Sequence, residues 1–232
     1  MLIKSIMFDL DATLLNEESV REKALRSFYN SGYVTTEFTV DELIVRSNKS
    51  IDIFYPQFIK GTLSFQEQRR ERLKWILKEK TLSNSRLDDL FDLYLQSYET
   101  NWELFDDVLP VLQNLSKWKL GIITNGNSVQ QRKKIERLSI ESFFETIVIS
   151  DEMGFGKPDP RIFNLASERM MSSPSNCMYV GDKLEDDAIA SCRVGMKGVW
   201  LNRKTKVVGN KVTTFNSLWE ISNYLSESSH SR

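Results

Sequence analysis

Six short apolar runs separated by amphipathic stretches constrain this chain more than any other feature. LIKSIMFDLD, KLGIITNG, ETIVISDE, NCMYVGD, KGVWLN and KVTTF read as strands. Between the later ones lie SVQQRKKIERL, DPRIFNLASERM and EDDAIASCRVG, whose apolar positions fall at helical spacing. Strand and helix alternating in this way predict an α/β fold, a doubly wound, Rossmann-like parallel sheet covered on both faces.

The alternation breaks once, between the first and second strands, where residues 17–105 carry almost only helical signals. SVREKALRSFYNSG sets Val20, Ala24, Leu25 and Phe28 on one face, and RLDDLFDLYLQSYETNWELF predicts a longer amphipathic helix. Thr39 to Glu42 and Ser64 to Glu67 each match a capping box. The expected organisation is an α/β core of residues 1–16 and 106–232 with an inserted all-helical domain of residues 17–105. Ligands of open α/β sheets bind beyond the carboxyl ends of the strands, and the insertion leaves from such an end, so it is expected to act as a lid.

Composition narrows the chemistry. Of 232 residues, 31 are basic and 32 acidic, a balance that names no nucleic acid polymer as partner. The longest apolar runs fall well short of a membrane span, and MLIKSIMFDLD has no signal-peptide cleavage pattern, which together predict a cytoplasmic protein without a membrane partner. Cys177 and Cys192 are too few for a disulfide framework and are expected to be reduced core residues. The one histidine, His230, sits in the polar stretch SESSHSR, expected to be a frayed terminus. Chemistry built on a Ser-His-Asp system or a His-ligated zinc is thereby disfavoured, leaving carboxylates, hydroxyls, lysine and a metal.

Four of the strands end in such groups. Alternation along the first strand predicts that Asp9 and Asp11 point to the same side, a crowding that calls for a raised pKa or a hard cation. Thr124, Asn125 and Gly126 follow the second strand, just before a helix, where backbone N–H groups and a hydroxyl suit an anion. Lys157, between Gly156 and Pro158, precedes the next helix, and Asp182, Asp186 and Asp187 end the fourth strand and open its helix. Each taken alone has a plainer reading as a cap, a turn or a solvated lysine; the series of four does not.

The series DLDATL, ITNG, GKPDPRIF and GDKLEDD, followed by GMKGVWLNR, resembles the four motifs of the haloacid dehalogenase-like (HAD) superfamily in its phosphatase branch. The inserted helices resemble that superfamily's cap of the first type, and FIKGTLSFQEQRRERL is similar to the subgroup of pyrimidine 5'-nucleotidases and N-acylneuraminate-9-phosphate phosphatases. The resemblance implies a phosphatase using Mg²⁺ and an aspartyl-phosphate intermediate on a small phosphorylated metabolite, such as a nucleotide or a sugar phosphate. It implies Asp9 as nucleophile and Asp11 as acid and base. Leu10, Thr124, Asn125 and Lys157 would bind phosphate, Asp9, Asp11 (through its carbonyl) and Asp182 would hold the metal, and Asp186 and Asp187 would support them. Thr13 is expected to brace the loop.

Ala12 stands where the family commonly has glycine, so its turn is expected to be right-handed or slightly strained. Asp186 stands where asparagine is frequent. The weighed alternatives are a 2-haloacid dehalogenase, a phosphomutase, a phospho-accepting receiver and a catalytically dead phosphate-binding protein. In the insertion, Arg46, Lys49, Arg69 and Arg70 are open to reading as a substrate clamp or a solvated face. A monomer or homodimer is expected.

Overall fold

The computed structural model describes residues 2–204 and 212–230. In chain order the elements are β1 (Ser5–Phe8), α1 (Glu17–Asn30), α2 (Val40–Ile59), α3 (Phe65–Leu77), α4 (Asn84–Thr100), α5 (Val108–Asn114), β2 (Lys119–Thr124), α6 (Ser128–Arg137), β3 (Thr146–Ile149), α7 (Ser150–Met153), α8 (Pro160–Arg169), β4 (Cys177–Gly181), α9 (Ala190–Arg193), β5 (Lys197–Leu201), β6 (Thr213–Phe215) and α10 (Leu218–His230). A π-helical turn, Leu184–Ile189, leads into α9.

The chain divides into two compact units, one of Met1–Glu17 with Glu103–Arg232 and one of Glu18–Trp102. The first is a six-stranded sheet in the order β3-β2-β1-β4-β5-β6, every pairing parallel. β1 lies inside the sheet and all four of its residues are buried, which is why SIMF is continuously apolar but for one serine. Its side chains alternate between two cores. Ile6 and Phe8 pack with Val111, Leu112, Ile135 and Ile221 on one face, and Met7 packs with Ile162, Phe163, Ala166 and Tyr179 on the other. Helices covering both faces make this a doubly wound, Rossmann-like α/β sheet.

The second unit consists of α1 to α4 without a strand. Thr39 and Ser64 cap α2 and α3 through reciprocal bonds with Glu42 and Glu67, so both expected capping boxes form. Val20, Ala24, Leu25 and Phe28 are the buried face of α1, and Phe28 meets Tyr94 of α4 edge to face at 6.2 Å.

Two local expectations change, at Cys192 and in the C-terminal polar stretch. Cys177 is buried but Cys192, on α9, is exposed. α10 continues to His230, so most of the polar stretch is helical; Ser231 and Arg232 lie outside the described residues. Lys211, expected to begin the last strand, also lies outside them, and β6 starts at Thr213. Ala12 takes φ 61°, the left-handed alternative that costs an alanine about 1 kcal/mol. Among the described residues no helix is long and apolar enough to cross a membrane.

Candidate active site

The carboxyl ends of β1, β2 and β4, with the loop before α8, deliver the chemically able side chains. β1 stops at Phe8, and after it the N–H groups of Leu14 and Leu15 both bond to the Leu10 carbonyl, folding Asp9 to Leu15 into a tight loop. Asp9 stays tethered to the sheet through its N–H and the Val180 carbonyl, 2.9 Å. Leu10 turns its side chain fully into the core.

Lys157 is the centre of the first cluster. It is 7% exposed, and its ammonium donates to Asp9 Oδ1 at 2.6 Å, Asp187 Oδ1 at 2.7 Å and the Tyr179 hydroxyl at 2.9 Å. Burial alone would depress its pKa; the charges of Asp187 and Asp9 outweigh that and raise it well above the ordinary lysine value. The Tyr179 hydroxyl donates onward to the Ile123 carbonyl at 3.0 Å, leaving its oxygen free to accept from the ammonium. Asp187 spends its second oxygen on the Lys183 N–H, 2.9 Å. Its carboxylate fills the space a Cβ at position 181 would need, which explains Gly181 at the end of β4.

The Lys157 loop is locked to the end of β2 by a reciprocal pair. The Asn125 amide donates to the Lys157 carbonyl at 2.8 Å and accepts from the Lys157 N–H at 2.9 Å. A Cβ on Gly156 would meet Asn125 Oδ1 at 2.5 Å, so glycine is the residue that permits this docking. Gly126, at φ 142°, makes the turn that follows Asn125, and its N–H donates to Ser150 Oγ.

Asp182 completes an acidic group: one oxygen from each of Asp9, Asp182 and Asp187 lies within 4.8 Å of the others. Burial, then Asp9 and Asp187, push the Asp182 carboxyl up to about 8. Burial likewise raises Asp9 to about 6, against the opposing charge of Lys157. With all three ionised, the Lys157 ammonium alone would leave two negative charges uncompensated, which is why Asp182 and Asp9 hold protons more strongly than usual without a further cation. An all-oxygen donor set with that charge deficit fits a hard divalent cation. Asp186 is half-buried on the π-helical turn.

Asp11 belongs to a second cluster. Its Oδ1 accepts from the Lys134 ammonium at 2.6 Å and its Oδ2 from Gln131 Nε2 at 2.9 Å. Gln131 Nε2 also donates to Thr124 Oγ1 at 2.7 Å. Burial raises the Asp11 pKa, but the Lys134 charge and the bonds from Lys134 and Gln131 lower it further, so the net shift is downward. The expected crowding of Asp9 with Asp11 is present but small: Asp11 raises Asp9, less than burial and Asp187 do. The strand ends before either residue, and the two carboxylates turn to different lysines. Thr13 Oγ1 reaches Asp9 Oδ2 at 3.4 Å, and the Thr13 carbonyl accepts from Arg203, which also grips Asp107 with two nitrogens.

Tyr179, Gln131 and Lys134 were not foreseen as site residues. A signal for two of them exists: on α6 the buried positions are Gln131, Lys134 and Ile135, while Val129 is 73% exposed. A helix that buries an amide and an ammonium in preference to a valine is directing polar groups at something polar. In the helical unit, Arg46 lies between the Phe38 and Trp75 rings and donates to the Ile76 and Trp75 carbonyls, and Arg70 is paired with Asp88. Arg69 stacks on Phe65 and Phe91.

Comparison with known proteins shows the family of the chain. The haloacid dehalogenase-like hydrolase model aligns with residues 6–201. The glyceraldehyde 3-phosphate phosphatase of Methanopyrus kandleri is 31% identical over 211 residues, covering 87% of this chain and 85% of that protein. The N-acylneuraminate-9-phosphatase of Mus musculus is 29% identical, covering 88% and 85%. A magnesium-bound HAD-hydrolase structure from Bacillus subtilis is 25% identical with TM-score 0.81, covering 97% of this chain and 99% of that one. A 2-haloacid dehalogenase of Pseudomonas syringae, 24% identical with TM-score 0.67 over 97% and 99%, shares the fold. The chain is a hydrolase and belongs to the haloacid dehalogenase-like family.

Proposed function

We propose that this hydrolase is a phosphatase that removes the phosphoryl group from a small phosphorylated metabolite through an aspartyl-phosphate on Asp9. The observation that carries the reading is that two carboxylates two residues apart have separate cationic partners, Lys157 for Asp9 and Lys134 for Asp11. One is held to react and the other is kept free of it to handle a proton.

In the first step an Asp9 oxygen bonds to phosphorus as the bond from phosphorus to the ester oxygen breaks, and the departing alkoxide takes a proton from Asp11, which enters this step in its protonated form although Lys134 favours the ionised one. In the second, a water oxygen bonds to phosphorus, its proton passes to Asp11, and the bond to Asp9 breaks. The sum is ester plus water giving alcohol plus phosphate. Lys157 offsets the charge of nucleophile and incoming phosphate, while the Thr124 hydroxyl and the backbone N–H groups of Leu10 and Asn125 take phosphoryl oxygens. Asp9, Asp182 and the Asp11 carbonyl would hold Mg²⁺, with Asp187 and Asp186 supporting from behind. That ion would supply the missing positive charge on the phosphoryl group. Residues 1–16 and 106–232 form the catalytic core on this reading, and the helical insertion of residues 17–105 is its cap.

A dehalogenase reading, prompted by shared fold, leaves Asp11 and its two donors without a task. The relatives covering most of this chain are named for phosphatase activity, which favours the ester. The test is release of inorganic phosphate from p-nitrophenyl phosphate and from a panel of nucleoside monophosphates and sugar phosphates, with Mg²⁺ and with EDTA. Release that needs Mg²⁺ is expected; no release from any ester by Mg²⁺-loaded protein would sink the reading.

A further inference from the structure

The Asp11 carboxylate is only about one-third exposed, and each of its oxygens already has a donor, Lys134 on one and Gln131 on the other. Lys134 is itself 3% exposed, an unusual place for an ammonium, and Gln131 is 1% exposed. The two residues stand three apart on α6, so a single helix face presents both.

The Gln131 amide orientation follows from its partners. Asp11 Oδ2 at 2.9 Å and the Asn125 carbonyl at 3.3 Å are pure acceptors, so the nitrogen must face them. The same nitrogen donates to Thr124 Oγ1 at 2.7 Å. A hydroxyl oxygen that is accepting there must aim its own hydrogen elsewhere, and among the described residues its one acceptor is the Asn125 carbonyl at a long 3.4 Å. Thr124 is thus left with a hydrogen available to an anion.

From this geometry we infer that Lys134 and Gln131 are positioning residues for the reaction: together they fix the orientation of the Asp11 carboxylate, and Gln131 additionally turns the Thr124 hydroxyl toward the phosphoryl group. The inference rests on the phosphatase reading and extends it to residues on α6. One amide joins the proton-handling carboxylate to the phosphate-binding hydroxyl, so the two are set by a single side chain. A misplacement of about 1 Å at such a group can cost on the order of 10²-fold in rate.

The test uses two aryl esters of similar size. p-Nitrophenolate leaves without needing a proton, whereas the more basic phenolate of phenyl phosphate benefits from one, so the pair reports on how well Asp11 is aimed. Lys134→Met is expected to lower kcat/KM for phenyl phosphate about 10²-fold and for p-nitrophenyl phosphate less than about 10-fold. Lys134→Arg, which retains a cationic donor, should recover most of the loss. Equal losses on both esters, or no loss on either, would overturn the positioning role. Gln131→Leu is expected to weaken binding of inorganic phosphate, measured by calorimetry with Mg²⁺ present, by about 10-fold; unchanged binding would overturn it. If wild type hydrolyses neither ester, the phosphatase reading fails, and the phosphate titration still decides whether Gln131 sets the anion site.

Discussion

Lys134 holds its ammonium 2.6 Å from Asp11 Oδ1 although the two residues are 123 positions apart. Lys157 stands at the same distance from Asp9 across 148 positions. Two adjacent carboxylates, which share a charge sign and a loop, are thereby given different environments. Asp9 is pushed up by burial and by its acidic neighbours, and Asp11 is drawn down by its lysine and amide. The roles proposed for them rest on which partners each carboxylate faces, because Asp11 acts as an acid only after taking up a proton against the pull of Lys134.

Asp9→Asn should reduce kcat at least about 10³-fold, because an amide cannot accept the phosphoryl group. The fold should persist, since Lys157 keeps Asp187 and Tyr179 as partners. Steady-state rates with a thermal melt check this. Activity near wild type would mean another group attacks phosphorus.

Tyr179→Phe deletes a hydroxyl that links Lys157 to the Ile123 carbonyl. The ring's edge contact with Phe163, 5.1 Å between centroids, is retained. A loss of about 1–2 kcal/mol in denaturant-derived stability is expected, from the carbonyl left without this donor. Turnover should drop less than about 10-fold, because Asp9 and Asp187 still hold the ammonium in place. An unchanged midpoint would show that the hydroxyl contributes nothing net.

Stability without metal should fall as pH rises. The folded pKa of Asp182, about 8, lies above the ordinary 3.8, so between those values the folded state keeps a proton that the unfolded chain releases. Stability from this group is therefore fully present below the unfolded value and is lost progressively up to about pH 8, by at most about 1.4 kcal/mol per pH unit. Asp9 adds a loss of the same sign up to about 6. Mg²⁺ favours the ionised forms, so the gain in Tm on replacing EDTA with Mg²⁺ should grow from about pH 5.5 to pH 8. A larger gain at acid pH would contradict the assignment of these carboxylates to the cation.

Ala12, at φ 61°, carries a penalty of about 1 kcal/mol that glycine would relieve, against a glycine entropy cost of roughly 0.5–1 kcal/mol. Ala12→Gly should therefore be as stable as wild type or slightly more so, and Ala12→Val, β-branched at positive φ, less stable by about 2 kcal/mol. Urea midpoints of the three proteins rank them. A valine variant as stable as wild type would show that the loop does not need the left-handed conformation.

The α/β alternation was legible because the inner strands are short, largely apolar runs: Ile6, Met7 and Phe8 are buried on both faces of the sheet, and so are Ile122 and Ile123. The capping boxes at Thr39 and Ser64 were legible because they are local, completed within four residues. At Ala12 the sequence left a right-handed or a strained turn open, and φ 61° is the strained one, a choice set by what the loop must hold. The exposure of Cys192 was not legible, since it depends on tertiary packing rather than on residue type.

By itself the sequence determined the order of strands and helices and which residue types stand at each strand end, because hydrophobic period and turn chemistry act over a few residues. Only the tertiary structure decided which charges meet. Asp9 could face Lys157, Asp11 could face Lys134 and Gln131, and Tyr179 could reach from within β4 only once parallel strands far apart in the chain were brought side by side. Pairing of buried charges depends on distances of about 3 Å between such residues, and no local pattern encodes those distances.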